Sequence, residues 1–547
     1  MKGTLNRLKL NDLNLGKVNK KGLLLTAGTI LFIAFLFLKT YPETIIGIPS
    51  PEYESVRRFY RWLIWGGCGF LACMGGALWI REKIHSWLFP LTVVILGLFY
   101  MVALTPFSAP DEAAHFTSAY RLSSQLMGKQ AVADEAFLSH ASEEEKERVS
   151  RGANVLVRSG DDVPGLYTSM GQAAYNMVFT EMFSADNSQG VTVRYEIPVN
   201  TTPVVYLPQA FGISLARILH LGYIPLVYLG RLFNLLAFAA LASLAVKLMP
   251  FKKEVLMAVS CLPMTLHLAA SFSYDAAFIG LSMVFLAWCF YLAYEKKEVT
   301  IRDTVLLALL LVLLEPGKIV YFPVAGICLL IPQAKFHTKK RYWISVAAVL
   351  LAVILAVFFV NRMVLSAWAT TTESYVGWSE DAGYTLQDVF RQPYTVFRVY
   401  YETLVTQFDY YMVTMLGGFL GNLDPDLTVP PFCLSILWYA LFVSVLRRDG
   451  ENSPVTGGQK LWILFLVLVS AGLVLTSMLL GWTPRSLDYI TGVQGRYFIP
   501  LLPLVLLILF DKRLTVSLDL RKSAWYLQCF VSIYALIRIC STACLRY

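Results

Sequence analysis

The sequence predicts an all-α integral membrane protein with about thirteen transmembrane helices, and three observations carry that prediction. Hydrophobic residues form 56% of the 547-residue chain and charged residues only 15%, too few charges to cover a soluble domain of this length. Apolar runs of spanning or near-spanning length recur along the whole chain. Lys and Arg gather in short clusters between those runs, as topology determinants do. The net charge of +9 is therefore spread over loops, which argues against nucleic acid as a partner. Aromatic residues, at 14%, supply the Trp and Tyr that two membrane interfaces require.

In chain order the apolar runs are 22–38, 62–80, 87–104, 224–249, 255–270, 276–294 and 304–314, then 319–332, 343–360, 430–446, 461–480, 497–510 and 524–539. The first follows a basic N-terminus but has no small-residue cleavage site after it, so it reads as an uncleaved span rather than a signal peptide. Two polar segments, 105–203 and 365–429, interrupt the series. The chain divides accordingly into 1–104, with the basic tail and three spans, and 105–223, a large external loop with an interfacial helix. A helical core over 224–364, a second external segment over 365–429 and C-terminal spans over 430–547 complete it. There is no internal repeat. The nine cysteines lie mostly inside apolar runs without zinc-site spacing, which reads as buried thiols.

Basic clusters at Lys17, Lys20 and Lys21, at Lys252–Lys253, at Lys296–Lys297 and at Lys339–Arg341 set the orientation. Arg447–Arg448, Lys512–Arg513 and Arg521–Lys522 extend the series. Placing all of them in the cytoplasm puts the N-terminus inside and both polar segments outside. Arg57, Arg58 and Arg61 break the pattern. The stretch 204–219 must then dip into the outer interface without crossing, since a crossing would invert every later loop. Tyr394, Phe397, Tyr401, Leu404, Phe408, Tyr411 and Met415 recur at helical spacing. They form an interfacial helix or one packed in a small external domain.

Under this topology the unusual polar residues meet on the outer side. Asp111, Glu112 and His115 follow the third span, Asp275 opens another, and Gln494, Arg496 and Tyr497 open a third. Glu315 and Lys318 join two short runs; residues 303–332 would be about 45 Å long as helix. Two full crossings need roughly 60 Å, so this pair should sit below the outer surface, where unpaired charge is costly. Each residue has a plainer reading. Asp111 and Glu112 serve equally as an N-cap and first-turn acid, Asp275 as a cap, and Lys318 as the neutraliser of Glu315. Arg496 reads also as a snorkelling side chain, although Gly492 and Gly495 allow a ligand to approach the backbone closely. His115 lacks partners at metal spacing. As a set, the residues suit sugar transfer at a lipid surface: a carboxylate base for an acceptor hydroxyl, and cations for a leaving lipid phosphate.

Five short blocks carry a resemblance: Pro110 to His115 (PDExxH), Tyr206 to Gln209 (YLPQ), Gly230 to Asn234 (GRLxN), Ser271 to Asp275 (SxSYD) and Gly492 to Tyr497 (GVQGRY). Together they resemble a bacterial polytopic membrane family catalogued mainly as a domain of unknown function, which looks like a branch of the GT-C glycosyltransferases. The resemblance runs from about residue 111 to 510. It implies GT-C-like external loops and an acidic catalytic residue in the first of them, a role that falls on Asp111 with Glu112 beside it. Arg496 and Lys318 become candidate contacts for a polyprenyl phosphate, and Asp275, Glu315, His115, Tyr497 and Gln494 candidate substrate-binding residues. A divalent metal, Mg or Mn, stays open, because no second acidic cluster stands at ligand spacing. The expected activity is inverting transfer of a sugar from a polyprenyl-phosphate donor to a cell-surface glycan or lipid on the external face. A transporter or flippase of lipid-linked sugars, which should show repeats and paired broken helices, and a glycan polymerase or ligase are the alternatives.

Overall fold

The computed structural model describes residues 19–48, 51–80, 86–162, 170–314, 317–370, 374–448, 451, 453–511 and 513–546. Among the described residues helices dominate, and three short two-stranded pairings interrupt them. Among the described residues seven helices are long and apolar enough to cross a membrane: Lys20–Ile46, Glu54–Trp79, Tyr223–Leu248, Asp275–Glu295, Lys339–Arg362, Gly457–Trp482 and Arg521–Ala543. Leu88–Ala103, Ile319–Leu330, Pro431–Val445 and Gly495–Leu509 are apolar but shorter.

The expectation of about thirteen transmembrane helices meets breaks that an apolar run conceals. The run 255–270 is cut into Lys253–Ser260 and Pro263–Ala269, because Leu262 is extended (φ −66°, ψ 140°) before the Pro that opens the second helix. The run 497–510 begins as a 3-10 turn, Gly495–Leu501, and becomes α-helix only at Leu502–Leu509. Ile319–Leu330 is a twelve-residue 3-10 segment, about 24 Å long at its steeper rise. It is held by Trp462 Nε1 donating to Gly326 O at 3.0 Å. Its partner Ile301–Leu314 has fourteen residues, about 21 Å, so neither arm reaches the ~30 Å of a hydrocarbon core.

The stretch read as a dip is a short helix. Pro203–Tyr206 leads into the twelve-residue helix Leu207–Ile218, which turns at 219–222 and runs back along the first half of Tyr223–Leu248. Gly212 makes that contact: a Cβ there would lie 2.4 Å from Leu229 O. At about 18 Å the helix is too short to cross.

The two ends of the bundle differ in chemistry. At one end Lys252 Nζ meets Leu446 O at 2.7 Å and Glu451 at 2.6 Å, Lys460 meets Asp511 at 3.1 Å, and Lys522 donates to Leu78 O at 3.0 Å. The loops carrying the basic clusters at 252–253, 447–448 and 521–522 thus gather together. At the other end lie the polar segments. Gln172 Nε2 donates to Gly47 O at 3.0 Å and Cys544 O at 2.8 Å, and Arg546 clasps Asp424 and Asp426. Arg57 and Arg61, which broke the charge pattern, share Glu54 at 2.8 and 3.0 Å, so this end carries a local acid for them.

Helix Pro393–Leu416 keeps Tyr394, Phe397, Tyr401, Leu404 and Phe408 exposed and buries only Tyr411 and Met415 of the stripe. An exposed aromatic stripe suits an interfacial helix rather than the core of a small external domain. Helix Lys339–Thr370 runs through the expected boundary at residue 364. All nine cysteines are free, and only Cys73 is exposed.

Candidate active site at the polar end of the bundle

Short helices recess the site. Leu88–Ala103 has sixteen residues, about 24 Å, and the chain leaves it at Leu104 directly into the PDExxH block. The turn 271–274 is built by serines: Ser273 N donates to Ser271 Oγ at 3.1 Å and Asp275 N to Ser273 Oγ at 3.2 Å. This local turn leaves the Asp275 carboxylate free to face across the bundle.

Asp111 occupies the residue before helix Glu112–Leu126, yet its side chain caps nothing. Its backbone is left-handed (φ 59°, ψ 14°), unusual for a non-glycine and typical of strained functional positions. The carboxylate is 63% exposed and accepts from Arg496 Nη2 at 2.6 Å, while Arg496 itself is 3% exposed. Arg496 Nη1 donates to Pro110 O at 3.2 Å, and its Nε lies 3.6 Å from Asp275 Oδ2, beyond a good hydrogen bond. Asp275 is also bonded to Lys318 Nζ. The four side chains form one chain of alternating charge, Asp111–Arg496–Asp275–Lys318, with only the first open to solvent. Tyr497 lies between the two cations, its ring centre 4.9 Å from Lys318 Nζ and 5.3 Å from the Arg496 guanidinium carbon. Tyr274 and Phe278 complete an aromatic cage round Lys318 at 4.8 and 5.6 Å.

His115 donates or accepts at Tyr206 OH, 2.7 Å away, and packs edge-on against Tyr274 at 4.5 Å. Burial pushes its imidazole down to about 3, so it is neutral at physiological pH. Gln494 precedes the Arg496 turn, and its Oε1 is buried without a hydrogen-bond partner among the described residues.

Glu112 stands apart from this group. Its two oxygens accept from Arg231 Nε at 2.7 Å and Nη2 at 2.8 Å, from Phe272 N at 3.0 Å and from Ala109 N at 3.2 Å. Arg231, fully buried, spends its remaining donors on Leu104 O and Thr105 O at 2.9 and 3.0 Å. Every lone pair of Glu112 is thus engaged, and the geometry makes it a strut rather than a proton donor. Glu315 lies outside the described residues, and Lys318, read beforehand as its neutraliser, pairs with Asp275. The glycines before Arg496 also serve differently from expectation. A Cβ on Gly495 would lie 2.0 Å from Tyr411 O, so the close approach is to helix Pro393–Leu416 and not to a ligand.

Arg231, Tyr206 and Asn234 were not singled out from the sequence as site residues, although all three lie within the quoted blocks. The signal for Arg231 was a charge inside an apolar run. Asn234 ties the blocks together: its Nδ2 donates to Ser271 O at 2.8 Å and Ser273 O at 3.2 Å, and its Oδ1 accepts from Gln209 Nε2 at 3.0 Å. All five blocks therefore converge on one hydrogen-bonded scaffold. The family model described as "Predicted membrane protein (DUF2142)" matches residues 94–505, a stretch that contains every one of them.

The chain belongs to the DUF2142 family of membrane proteins. No curated protein and no solved structure matches it. This DUF2142 chain is therefore a multi-pass membrane protein whose chemistry must be argued from its own site. A divalent metal does not fit that site: both exposed and buried carboxylates are already engaged by Arg496 or Lys318. Among the described residues no group of three His, Cys, Asp or Glu converges on one point.

Proposed function

We propose that this DUF2142 protein is a metal-independent membrane glycosyltransferase of GT-C type. It transfers a sugar from a polyprenyl-phosphate donor to a glycan or lipid acceptor at the external face of a bacterial cytoplasmic membrane. The observation that carries the reading is Asp111, an exposed carboxylate held 2.6 Å from a buried arginine at the mouth of a recessed charged cluster. Asp111 takes the proton of the acceptor hydroxyl as that oxygen bonds to the anomeric carbon. The bond from that carbon to the donor phosphate breaks on the opposite face, which inverts the configuration. The phosphate leaves with the electron pair, and Arg496 and Lys318 stabilise its charge. Asp275 keeps both cations charged and in place, and Tyr497 spaces them.

The test compares cell-surface glycans in wild type, a deletion strain and Asp111→Asn at matched protein level. Loss of the same sugar in both mutants supports transfer and names the substrate. A glycan change in the deletion alone removes Asp111 from the chemistry.

One observation favours a second reading. Two apolar segments are discontinuous, Lys253–Ser260 with Pro263–Ala269 and Gly495–Leu501 with Leu502–Leu509, and paired broken helices are a transporter feature. A flippase of lipid-linked sugars would move its substrate in proteoliposomes containing no acceptor, whereas a transferase would release polyprenyl phosphate only when acceptor is present.

A further inference from the structure

At the basic end of the bundle, opposite Asp111, a cavity of about 890 Å³ opens between the start of Arg521–Ala543, the end of Tyr223–Leu248 and the end of Pro431–Val445. This volume lies within the usual range for ligand cavities. Much of its wall is apolar, with Phe89, Val246, Met257, Val443, Ala524 and Trp525, and Ser243, Ser444 and Gln528 also line it. Its rim carries charge, mostly positive among the described residues.

Among the described residues two carboxylates face the rim, and both are already taken. Asp519 is bonded to Arg448 and lies 3.1 Å from Arg521 Nε, and Glu254 is bonded to Arg521 Nη1. Lys522 reaches back to Leu78 O at 3.0 Å. Lys247 and Lys253 remain, both exposed, and among the described residues neither makes an ion pair. Among the described residues Lys247 and Lys253 are thus the rim cations that stand outside these contacts.

We propose that this cavity binds a phosphate-bearing membrane lipid, with its anionic headgroup on Lys247 and Lys253 and its acyl chains along the apolar wall. Lysine is a flexible point-charge partner for phosphate. Apolar surface lining a water-filled chamber is unfavourable, and acyl chains remove that cost. A free phosphate would satisfy the rim and leave the wall uncovered, so the lipid is the occupant that fits both halves. The inference does not depend on the transfer reaction, whose residues lie at the other end of the bundle.

The test uses the full chain purified in neutral detergent, with native mass spectrometry and thermal melts after adding dioleoyl phosphatidylglycerol, dioleoyl phosphatidylcholine or inorganic phosphate. The expected result is saturable binding of phosphatidylglycerol with a raised melting temperature, and weaker binding of the zwitterionic lipid. In the double variant Lys247→Gln, Lys253→Gln, affinity for phosphatidylglycerol falls about tenfold or more, at roughly 1 kcal/mol per basic residue near an anionic headgroup. Both lysines are exposed, so the variant should melt like wild type without lipid. Equal binding of the two lipids, or selectivity kept by the variant, overturns the proposal. Stabilisation by inorganic phosphate equal to that by phosphatidylglycerol overturns the lipid as occupant.

Discussion

At the residue scale, two adjacent acids in one motif have opposite environments, and their substitutions should separate. Asp111 is exposed and accepts a single ion-pair hydrogen bond, so Asp111→Asn should leave melting temperature and protein level nearly unchanged. Sugar transfer should fall about a hundred- to ten-thousandfold, the range for losing a general base. Glu112→Gln leaves the fully buried Arg231 without its counter-charge, at a cost of about 3–5 kcal/mol. Its loss of activity should come with loss of folded protein, seen by fluorescence-detected size exclusion. Asp275→Asn should resemble Glu112→Gln, because Lys318 and Arg496 would both remain buried without it. His115 makes a pH prediction. Its imidazole ordinarily titrates near 6.5, and burial holds it down to about 3 in the folded protein. The stability it contributes is fully present above about pH 6.5 and is lost as pH falls toward 3, because the unfolded chain takes up the proton first. Between about pH 7 and 5, His115→Gln should lose less melting temperature than wild type.

At the element scale, the position of Arg496 depends on a glycine rather than on a charge. Gly495 N donates to Thr414 Oγ1 at 2.9 Å, and its missing Cβ lets helix Pro393–Leu416 approach the turn. Gly495→Ala should cost about 1–3 kcal/mol through overpacking. It should also shift Arg496 enough to reduce transfer more than that stability loss explains, which parallel melts and activity assays would reveal. The sequence made this glycine visible but assigned it the wrong neighbour, since a residue 81 positions away in the chain leaves no trace in local composition. The helix breaks were partly legible. Pro263 sits within an otherwise continuous apolar run, and hydropathy averages it away although its ring forbids the hydrogen bond that a continuous helix needs there. That 207–218 is not a long free span was legible, because Gln209 and Arg217 are poor residues for one.

At the scale of the whole molecule, the basic loops and the polar segments occupy opposite ends of one bundle, and that arrangement makes a topology prediction. In a cysteine-reporter series, a membrane-impermeant thiol reagent should label Gln189→Cys in intact cells, while Lys340→Cys should react only after permeabilisation. Labelling of both in intact cells would remove the orientation on which an external active site depends. Wild type provides the background, with Cys73 as its exposed thiol.

By itself the sequence determined the helical membrane class, the places of the apolar runs, the gathering of basic loops and the five blocks that form the site. These follow from hydropathy, charge and motif order, which are local properties and survive any packing of the helices. Only the tertiary structure decided which acid is open and which is a strut, because Arg231 and Arg496 choose between Asp111 and Glu112 across separations of 119 and 385 residues. It alone decided that Lys318 pairs with Asp275, and that Lys247 and Lys253 share one largely apolar cavity at the basic end. A buried charge takes whichever counter-charge the fold brings within about 3 Å, and that partner is a property of packing, which no stretch of sequence carries alone.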